Sequence, residues 1–292
     1  MIFINNDAKL RSFIPNVFSS VEGEVSLFDK MKTHLQFAES WLEQTIVGQT
    51  TMAAVSESAD ASAGDSAEPS PLHDIICQII VSEAFRKAVP SLDLVLSPNG
   101  FGIVSNQNIA PASKERVDRL VASLETTRDD CIELLLRYLP LVSTWAQESC
   151  SGYRYFHSTL FPNIDVTRSM DIREHRWEKY QGIHAKIQLI EAQMANEWIS
   201  PELMEVLRTE SIQRTGSVLH TSIISRLRAL VLSILKNDSP ADIHSYGCTL
   251  LEIVQIIRTN ESEFPQWHAS KTKGLFDPPK FENKKSSSGY WF

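Results

Sequence analysis

Residues 92–120 read LDLVLSPNGFGIVSNQNIAPASKERVDRL and contain both kinds of local pattern found in this chain. Two short β-prone runs flank Asn99-Gly100, and an Asn-Gly pair supplies the positive φ angles that a tight hairpin turn needs. The chain then enters a helix with Glu115 in its first turn, where an acid favours the helix N-terminus. The stretch therefore predicts one β-hairpin, residues 92–106, inserted into a chain that is otherwise helical.

Apolar residues at helical spacing predict helices on both sides of this stretch. The helix after Ser26 is expected to stop at Gly48, and its apolar stripe is Phe28, Met31, Leu35, Ala38, Leu42 and Ile46. Further helices are predicted over residues 71–89, 111–148 (kinked at Pro140), 168–199, 201–208, 217–236 and 240–259. Residues 49–70 are small, polar and acidic, which predicts a mobile loop.

The second half of the sequence repeats features of the first. Leu72-His73 in the first half corresponds to Leu219-His220 in the second. A Pro-Asn pair at residues 15–16 corresponds to Pro162-Asn163. The first apolar stripe corresponds to a second stripe with identical internal spacing, formed by Tyr180, Ile183, Ile187, Ile190, Met194 and Trp198. A duplicated three-helix unit explains these matches, and a chance similarity between amphipathic helices is the alternative.

We therefore expect a mainly α fold made of two related helical-bundle halves, one inserted β-hairpin and an extended C-terminal tail. The first half covers residues 1–150 and contains the acidic loop and the hairpin. The second half covers residues 151–262. An extended C-terminal arm follows over residues 263–292.

Composition limits the classes of function. The 292 residues carry a formal charge of -8, which argues against wrapping duplex DNA through many phosphate contacts. This charge is compatible with lining a passage through which DNA moves. No apolar run approaches the roughly 18 residues that span a membrane, and the N-terminus lacks a signal-peptide pattern. We expect a protein made in the cytosol, without membrane contact.

Candidate chemical groups do not form a predicted active site. One predicted helical face carries Asp171, Glu174, His175 and Glu178, but Arg173, Arg176 and Lys179 alternate with them. This mixture favours a solvated, salt-bridged surface over a metal site. His73 and His220, each near a helix N-terminus, favour a structural role over a ligand role. Because the usual nucleotide-binding and hydrolase motifs are also missing, we expect no enzyme activity, no cofactor and no metal.

The C-terminal residues 271–292 contain five lysines and end in three aromatic residues. Aromatic side chains at a free end are typical of an anchor that binds in a partner's pocket, although such an end can also fold back on its own domain. The predicted partner-binding residues are those of the hairpin turn and of this end: Asn99, Gly100, Phe101, Tyr290, Trp291 and Phe292.

Three segments together resemble an uncharacterised protein family encoded in phages and prophages of gut Bacteroidetes, usually among structural genes. They are residues 97–120, residues 160–180 (LFPNIDVTRSMDIREHRWEKY) and residues 281–292, which begin FENKK and end GYWF. The most specific motif is N-G-F-G-x-V-S-N followed by A-P-A-S-K-E-R. More loosely, helices with one inserted hairpin and extended ends resemble the head–tail connector (adaptor) proteins of tailed phages.

This resemblance implies a structural virion protein that forms a ring between portal and tail and continues the DNA channel. The implied partners are other copies of the chain, the portal and the tail proteins, while DNA passes nearby without specific binding. The implied location is the virion, after assembly in the cytoplasm of the bacterial host. Another virion component, such as a tail terminator or minor capsid protein, and a cytosolic helical interaction module are the alternatives.

Overall fold

A computed structural model describes residues 2–14, 25–62, 71–89, 92, 94–97, 100–103, 113–147, 149–237 and 246–277. These residues are mainly helical, which confirms the predicted fold class at that level. The chain divides into two compact units, Met1–Ile183 (unit 1) and His184–Phe292 (unit 2). The predicted boundary at residue 150 was placed by the sequence repeat and not by compactness. It stays a prediction.

The secondary structure follows the chain in this order. Unit 1 contains α1 (Asp7–Ser12), α2 (Leu27–Leu42), a first π-helical segment (Glu43–Val47), α3 (Gln49–Ser62), α4 (Pro71–Ala88), α5 (Lys114–Tyr138), a 3₁₀ turn (Leu139–Leu141), α6 (Ser151–His157), α7 (Val166–Ser169) and the start of α8 (Arg176–Met194). Unit 2 continues with a second π-helical segment (Ala195–Ile199), α9 (Pro201–Gln213), α10 (Val218–Lys236), α11 (Gly247–Thr259), α12 (Pro265–His268) and α13 (Lys273–Phe276).

Helix α4 forms the centre of unit 1. Its apolar residues surround the helix instead of forming one stripe, and it packs against both α2 and α5. Ile76, Ile79 and Ile80 are completely buried, and each such side chain stabilises the fold by about 1.5–3 kcal/mol relative to exposure. The predicted helix over residues 71–89 is thereby confirmed.

Helix α2 begins and ends where the sequence predicts. The hydroxyl of Ser26 caps it by accepting a hydrogen bond of 3.1 Å from the backbone N–H of Asp29. The helix continues into the first π-helical segment and stops at Gly48, whose φ of 80° suits glycine. The predicted stripe is confirmed as a core face, because its members from Met31 to Ile46 are buried and Phe28 is half-buried.

The predicted mobile loop over residues 49–70 is wrong for its first part, which forms α3. Thr51, Met52 and Val55 are buried on one face of this helix. The alanines between them favour helix, so a short apolar face and good helix propensity together order a segment whose overall composition is polar and acidic. Residues 63–70 lie outside the described residues.

A short antiparallel strand pair lies within residues 94–103. Strand β1 (Leu94–Ser97) pairs with β2 (Gly100–Ile103), with Leu94 opposite Ile103 and Ser97 opposite Gly100. Gly100 and Phe101 belong to β2, whereas Asn99 lies outside the described residues. The role of this segment as an inserted element that contacts a partner stays a prediction.

The single long helix predicted over residues 168–199 is wrong in its first turns. Helix α7 stops at Ser169, Asp171 and His175 have positive φ angles of 59° and 54°, and α8 starts at Arg176. The cause is Asp129 on α5, whose Oδ2 accepts hydrogen bonds from the backbone N–H groups of Arg176 and Trp177 and so caps α8. The predicted helical face from Asp171 to Glu178 therefore does not form.

The predicted extended arm is wrong for residues 263–277. Phe264 and Trp267 are completely buried, and the chain forms the short helices α12 and α13 around them. Two large aromatic side chains bury enough apolar area to fold this segment onto unit 2. Tyr290, Trp291 and Phe292 lie outside the described residues.

Helix α10 is, within the described part of the chain, the one helix long and apolar enough to cross a membrane. It nevertheless carries Arg226 and Arg228, and the guanidinium of Arg228 donates a 2.6 Å hydrogen bond to the hydroxyl of Ser211 on α9. Ile223 and Leu227 are buried in unit 2. These contacts are those of a core helix.

The two π-helical segments have the same geometry. Gly48 follows the first with φ 80° and ψ 149°, and Ser200 follows the second with φ 76° and ψ 143°. The indole N–H of Trp145 donates to the carbonyl of Ile46 at 2.8 Å, two residues before Gly48. The indole N–H of Trp267 donates to the carbonyl of Trp198 at 2.9 Å, two residues before Ser200. Ile46 and Trp198 are the matching ends of the two apolar stripes.

We expect Gly152→Ala to destabilise unit 1 by about 2–4 kcal/mol. A Cβ at residue 152 would lie 1.9 Å from the carbonyl oxygen of Ile46, so α6 would have to move away from the first π-helical segment. Gly182→Ala is the control, because a Cβ there meets no atom within 4 Å and alanine favours the helix by about 0.5–1 kcal/mol. Urea unfolding measures both, and equal stability of the two variants would contradict this account.

Candidate functional site

A cluster of buried charges connects α4, α5 and the start of α8 in unit 1. At its centre is Arg128, whose side chain is only 1% exposed. Its guanidinium donates to Glu83 on α4 at 2.9 Å, to the neighbouring Asp129 at 2.7 Å and to Glu178 on α8 at 3.0 Å. We call these four residues, together with Glu125, the Arg128 cluster, since Glu125 lies 3.6 Å from the same guanidinium.

A second ion-pair group lies beside it. The guanidinium of Arg176 donates to Asp130 at 2.8 Å, to the hydroxyl of Thr167 at 3.0 Å and, at short range, to Glu133. Arg168 donates to the same two carboxylates, each at 2.7 Å. A cleft of about 370 Å³ opens next to this group, lined in part by Arg168, Arg176, Asp130, Asp171 and Arg173.

The surroundings lower the pKa of some of these carboxyl groups and raise the pKa of another. Burial raises the pKa of Glu83, but the hydrogen bond from Lys87 and the charge of Arg128 outweigh burial, so the pKa lies below its usual value. The pKa of Glu133 is lowered in the same way, since the hydrogen bonds from Arg168 and Arg176 outweigh burial. Burial raises the pKa of Asp129, and Arg128 offsets only part of that rise.

Sequence reasoning missed this cluster. It interpreted the charges around residues 171–179 as a solvated surface, but Arg176 is buried and holds two acids of α5. The signal available in the sequence was Glu83, a charge inside an apolar helix, because such a residue is almost never buried without a partner. The identity of that partner, Arg128, depends on tertiary packing.

The two repeat-related histidines lie in different surroundings, both largely buried. His73 contacts Lys9 at 3.3 Å, and its ring lies at a tilt to that of Phe3. His220 lies 2.7 Å from a carboxylate oxygen of Glu210 and 2.8 Å from the carbonyl oxygen of Glu263. Its ring therefore joins α9, α10 and the segment before α12. These contacts agree with the predicted structural role.

Two large apolar side chains are exposed at matching places of the two apolar-stripe helices. Phe37 on α2 is 66% exposed and Leu189 on α8 is 74% exposed. Each lies two positions after a buried member of its stripe, Leu35 and Ile187. Single exposed apolar side chains are common on protein surfaces, so the informative feature is that these two occur at matching places of two helices. The predicted partner-binding residues at the chain end lie outside the described residues.

Residues 21–155 match the model of a family of unknown function, DUF6712. The match begins before α2, ends within α6 and covers less than half of the chain. No curated protein matches the chain, and no solved structure matches it. The similarity therefore relates most of unit 1 to a family without assigning an activity.

We expect Arg128→Lys to destabilise the protein by about 2–4 kcal/mol, because an ammonium group cannot bridge three carboxylates and leaves buried acids without a partner. Arg137→Lys is the matched control: Arg137 is half exposed and pairs with Glu133 at 2.7 Å, so its loss should cost less than about 1 kcal/mol. Chemical denaturation measures both changes. Similar losses for the two variants would show that Arg128 is not a buried structural cation.

We also expect stability to fall in acid. Folding lowers the pKa of Glu83 and Glu133. Below the unfolded pKa of about 4.3, the unfolded chain therefore binds more protons than the native chain. Stability is lost as the pH falls through the lowered pKa values of the folded protein. Asp129, whose pKa is raised, acts in the opposite direction.

Glu83→Gln should therefore flatten the decline of the unfolding free energy between about pH 5 and about pH 3, because it removes one of the three glutamates whose pKa is lowered, Glu83, Glu133 and Glu178. Glu57→Gln, at an exposed position of α3, is the control and should keep the wild-type slope. The measurement is the urea unfolding free energy at each pH. An unchanged slope in Glu83→Gln would contradict the assignment of acid sensitivity to this cluster.

Proposed function

We propose that this chain is a structural assembly protein whose copies associate with one another, and that it acts as a head–tail connector of a tailed phage. The observation that carries the assembly role is the exposure of Phe37 and Leu189 at matching places on two helices. The connector role rests on the resemblance of three sequence segments to phage structural proteins. In that role no catalytic residue, cofactor or metal is required.

We further propose that the two halves arose by duplication. The matching π-helical segments, the positive φ angles of Gly48 and Ser200, and the two indole–carbonyl hydrogen bonds support this origin. None of these features follows from helical periodicity, which was the alternative explanation of the sequence repeat. Duplication gives one chain two related but non-identical copies of the same surface.

Two such surfaces suit a closed ring. A ring of identical subunits needs two different faces on each subunit, because the contact is heterologous. The face around Leu189 carries exposed Ala185 and Ala192, four residues before and three residues after it, together with exposed Lys186 and Gln193. We propose that Phe37 of one copy packs beside Leu189 on this face of the next copy.

The remaining predicted contacts keep their place in this proposal. The hairpin residues Asn99, Gly100 and Phe101 would project toward the channel or a neighbouring copy, and residues 290–292 would anchor on the portal or on the adjacent ring. The charge of -8 suits a channel wall that lets DNA pass without binding it. The protein would then be located in the virion after assembly in the host cytoplasm.

We expect the variant that combines Phe37→Ser with Leu189→Ser to weaken self-association at least about tenfold without lowering thermal stability. Val218→Ser is the control, since Val218 is 88% exposed but belongs to α10 and to neither proposed face. Light scattering after gel filtration measures the mass, and negative-stain microscopy shows whether the assembly is a ring. A wild-type protein that stays monomeric at high concentration, or a double variant that associates normally, would contradict the proposal.

Mass spectrometry of purified particles separates the virion roles from the alternative of a cytosolic helical interaction module. Particles that contain the chain support a virion role, and a ring of purified subunits favours a connector over a minor capsid protein.

A further inference from the structure

Three side chains at the solvent edge of the Arg128 cluster form a set of metal-ligand type. Glu125, His175 and Glu178 each place one ligand atom within 4.8 Å of the other two. An imidazole nitrogen and two carboxylate oxygens are ligands that Zn²⁺ commonly takes. The set comes from three parts of the chain: α5, the break before α8 and the first turn of α8.

The protein backbone holds the set in place. His175 has a left-handed φ of 54°, which directs its ring back over α5, and its Nδ1 lies 2.7 Å from a carboxylate oxygen of Glu125. Asp129 caps α8 at the next residue and thereby fixes the first turn that carries Glu178. Ligands of a tetrahedral zinc ion lie about 3.4 Å apart, and the three ligand atoms here lie within 4.8 Å of one another.

Local charge provides a second, independent reason for a cation. The carboxylates of Glu83, Glu125, Asp129 and Glu178 share three permanent cations, Arg86, Lys87 and Arg128. Arg128 donates to Glu83, Asp129 and Glu178, while Glu125 lies 3.6 Å from it and has the imidazole of His175, at 2.7 Å, as its nearer partner. Glu125 is buried, and a buried carboxylate whose contact with the permanent cation is this long favours an additional positive charge.

Access from solvent is open on one side. Glu125 is buried, whereas the side chains of His175 and Glu178 are 59% and 45% exposed. An ion bound here would keep at least one coordination position for water, as sites with three protein ligands do.

We propose that Glu125, His175 and Glu178 bind one divalent transition-metal ion, with Zn²⁺ as the preferred ion. Binding replaces the hydrogen bond between His175 and Glu125 by two bonds to the metal. Glu178, which now accepts a hydrogen bond of 3.0 Å from Arg128, binds the ion through one carboxylate oxygen, and Arg128 keeps its contacts with Glu83 and Asp129. This proposal rests on unit 1 alone and does not depend on the assembly role. A bound ion would tie α5 to the start of α8 and raise the thermal stability of unit 1.

Titration of the full-length protein with zinc chloride, followed by calorimetry and by metal analysis after dialysis, tests the proposal. We expect one ion per wild-type chain, a rise in melting temperature with zinc, and at least about tenfold weaker binding in His175→Asn. Asparagine adopts the left-handed φ readily, so this variant removes the imidazole without forcing a new backbone conformation. Glu178→Gln, at a half-exposed position, provides a second variant and should also weaken binding.

His34→Asn on α2 and Glu174→Gln, in the same break as His175, are matched controls and should bind zinc as the wild type does. Co²⁺ offers a direct readout, because its visible absorption should appear in the wild type and disappear in His175→Asn. No zinc binding by the wild type would overturn the proposal. Binding that His175→Asn and Glu178→Gln leave unchanged would place the metal elsewhere and overturn it equally.

Discussion

In each unit, one tryptophan indole N–H donates a hydrogen bond to a carbonyl group of the π-helical segment. The path of the chain after that segment depends on this bond. A π-helical segment interrupts the regular i to i−4 ladder, so its last carbonyls need partners from outside the helix. Trp145 supplies one to Ile46, and Trp267 supplies one to Trp198. A buried carbonyl left unpaired would cost about 1–3 kcal/mol, so each tryptophan stabilises the turn as well as filling the core. The same carbonyl of Ile46 limits how α6 can approach, since only a glycine fits at residue 152.

The buried charged side chains of unit 1 meet a different energetic requirement. Removing a guanidinium and its partners from water is costly, and such a group persists only where every donor has an acceptor. Asp129 contributes on two sides: Oδ1 accepts from Arg128, and Oδ2 caps α8 at Arg176. This one side chain therefore couples the centre of α5 to the starting point of α8, and the break after α7 follows from that coupling.

The sequence predicts those elements whose cause is local. The stripe of α2, its stop at Gly48 and the presence of α4 all follow from local sequence patterns. Helix α3 was not predicted, because the prediction for residues 49–70 relied on their polar and acidic composition. It took no account of Thr51, Met52 and Val55, which form a short buried face. The break before α8 could not be predicted, since its cap comes from α5. The charge cluster was missed for the same reason, because sequence spacing does not show which charges become buried together.

Matching positions of the two halves keep the same backbone geometry but not always the same residue. Ser200 replaces Gly48 at a positive φ, and its hydroxyl compensates by capping α9 through the N–H of Leu203 at 3.2 Å. That difference shows that matching positions need not keep the same residue. Phe37 and Leu189 nevertheless both present a large apolar side chain to solvent, although a small polar residue would serve the helix equally well. Neither side chain is part of the buried core, so both are available for the proposed contact with another copy of the chain.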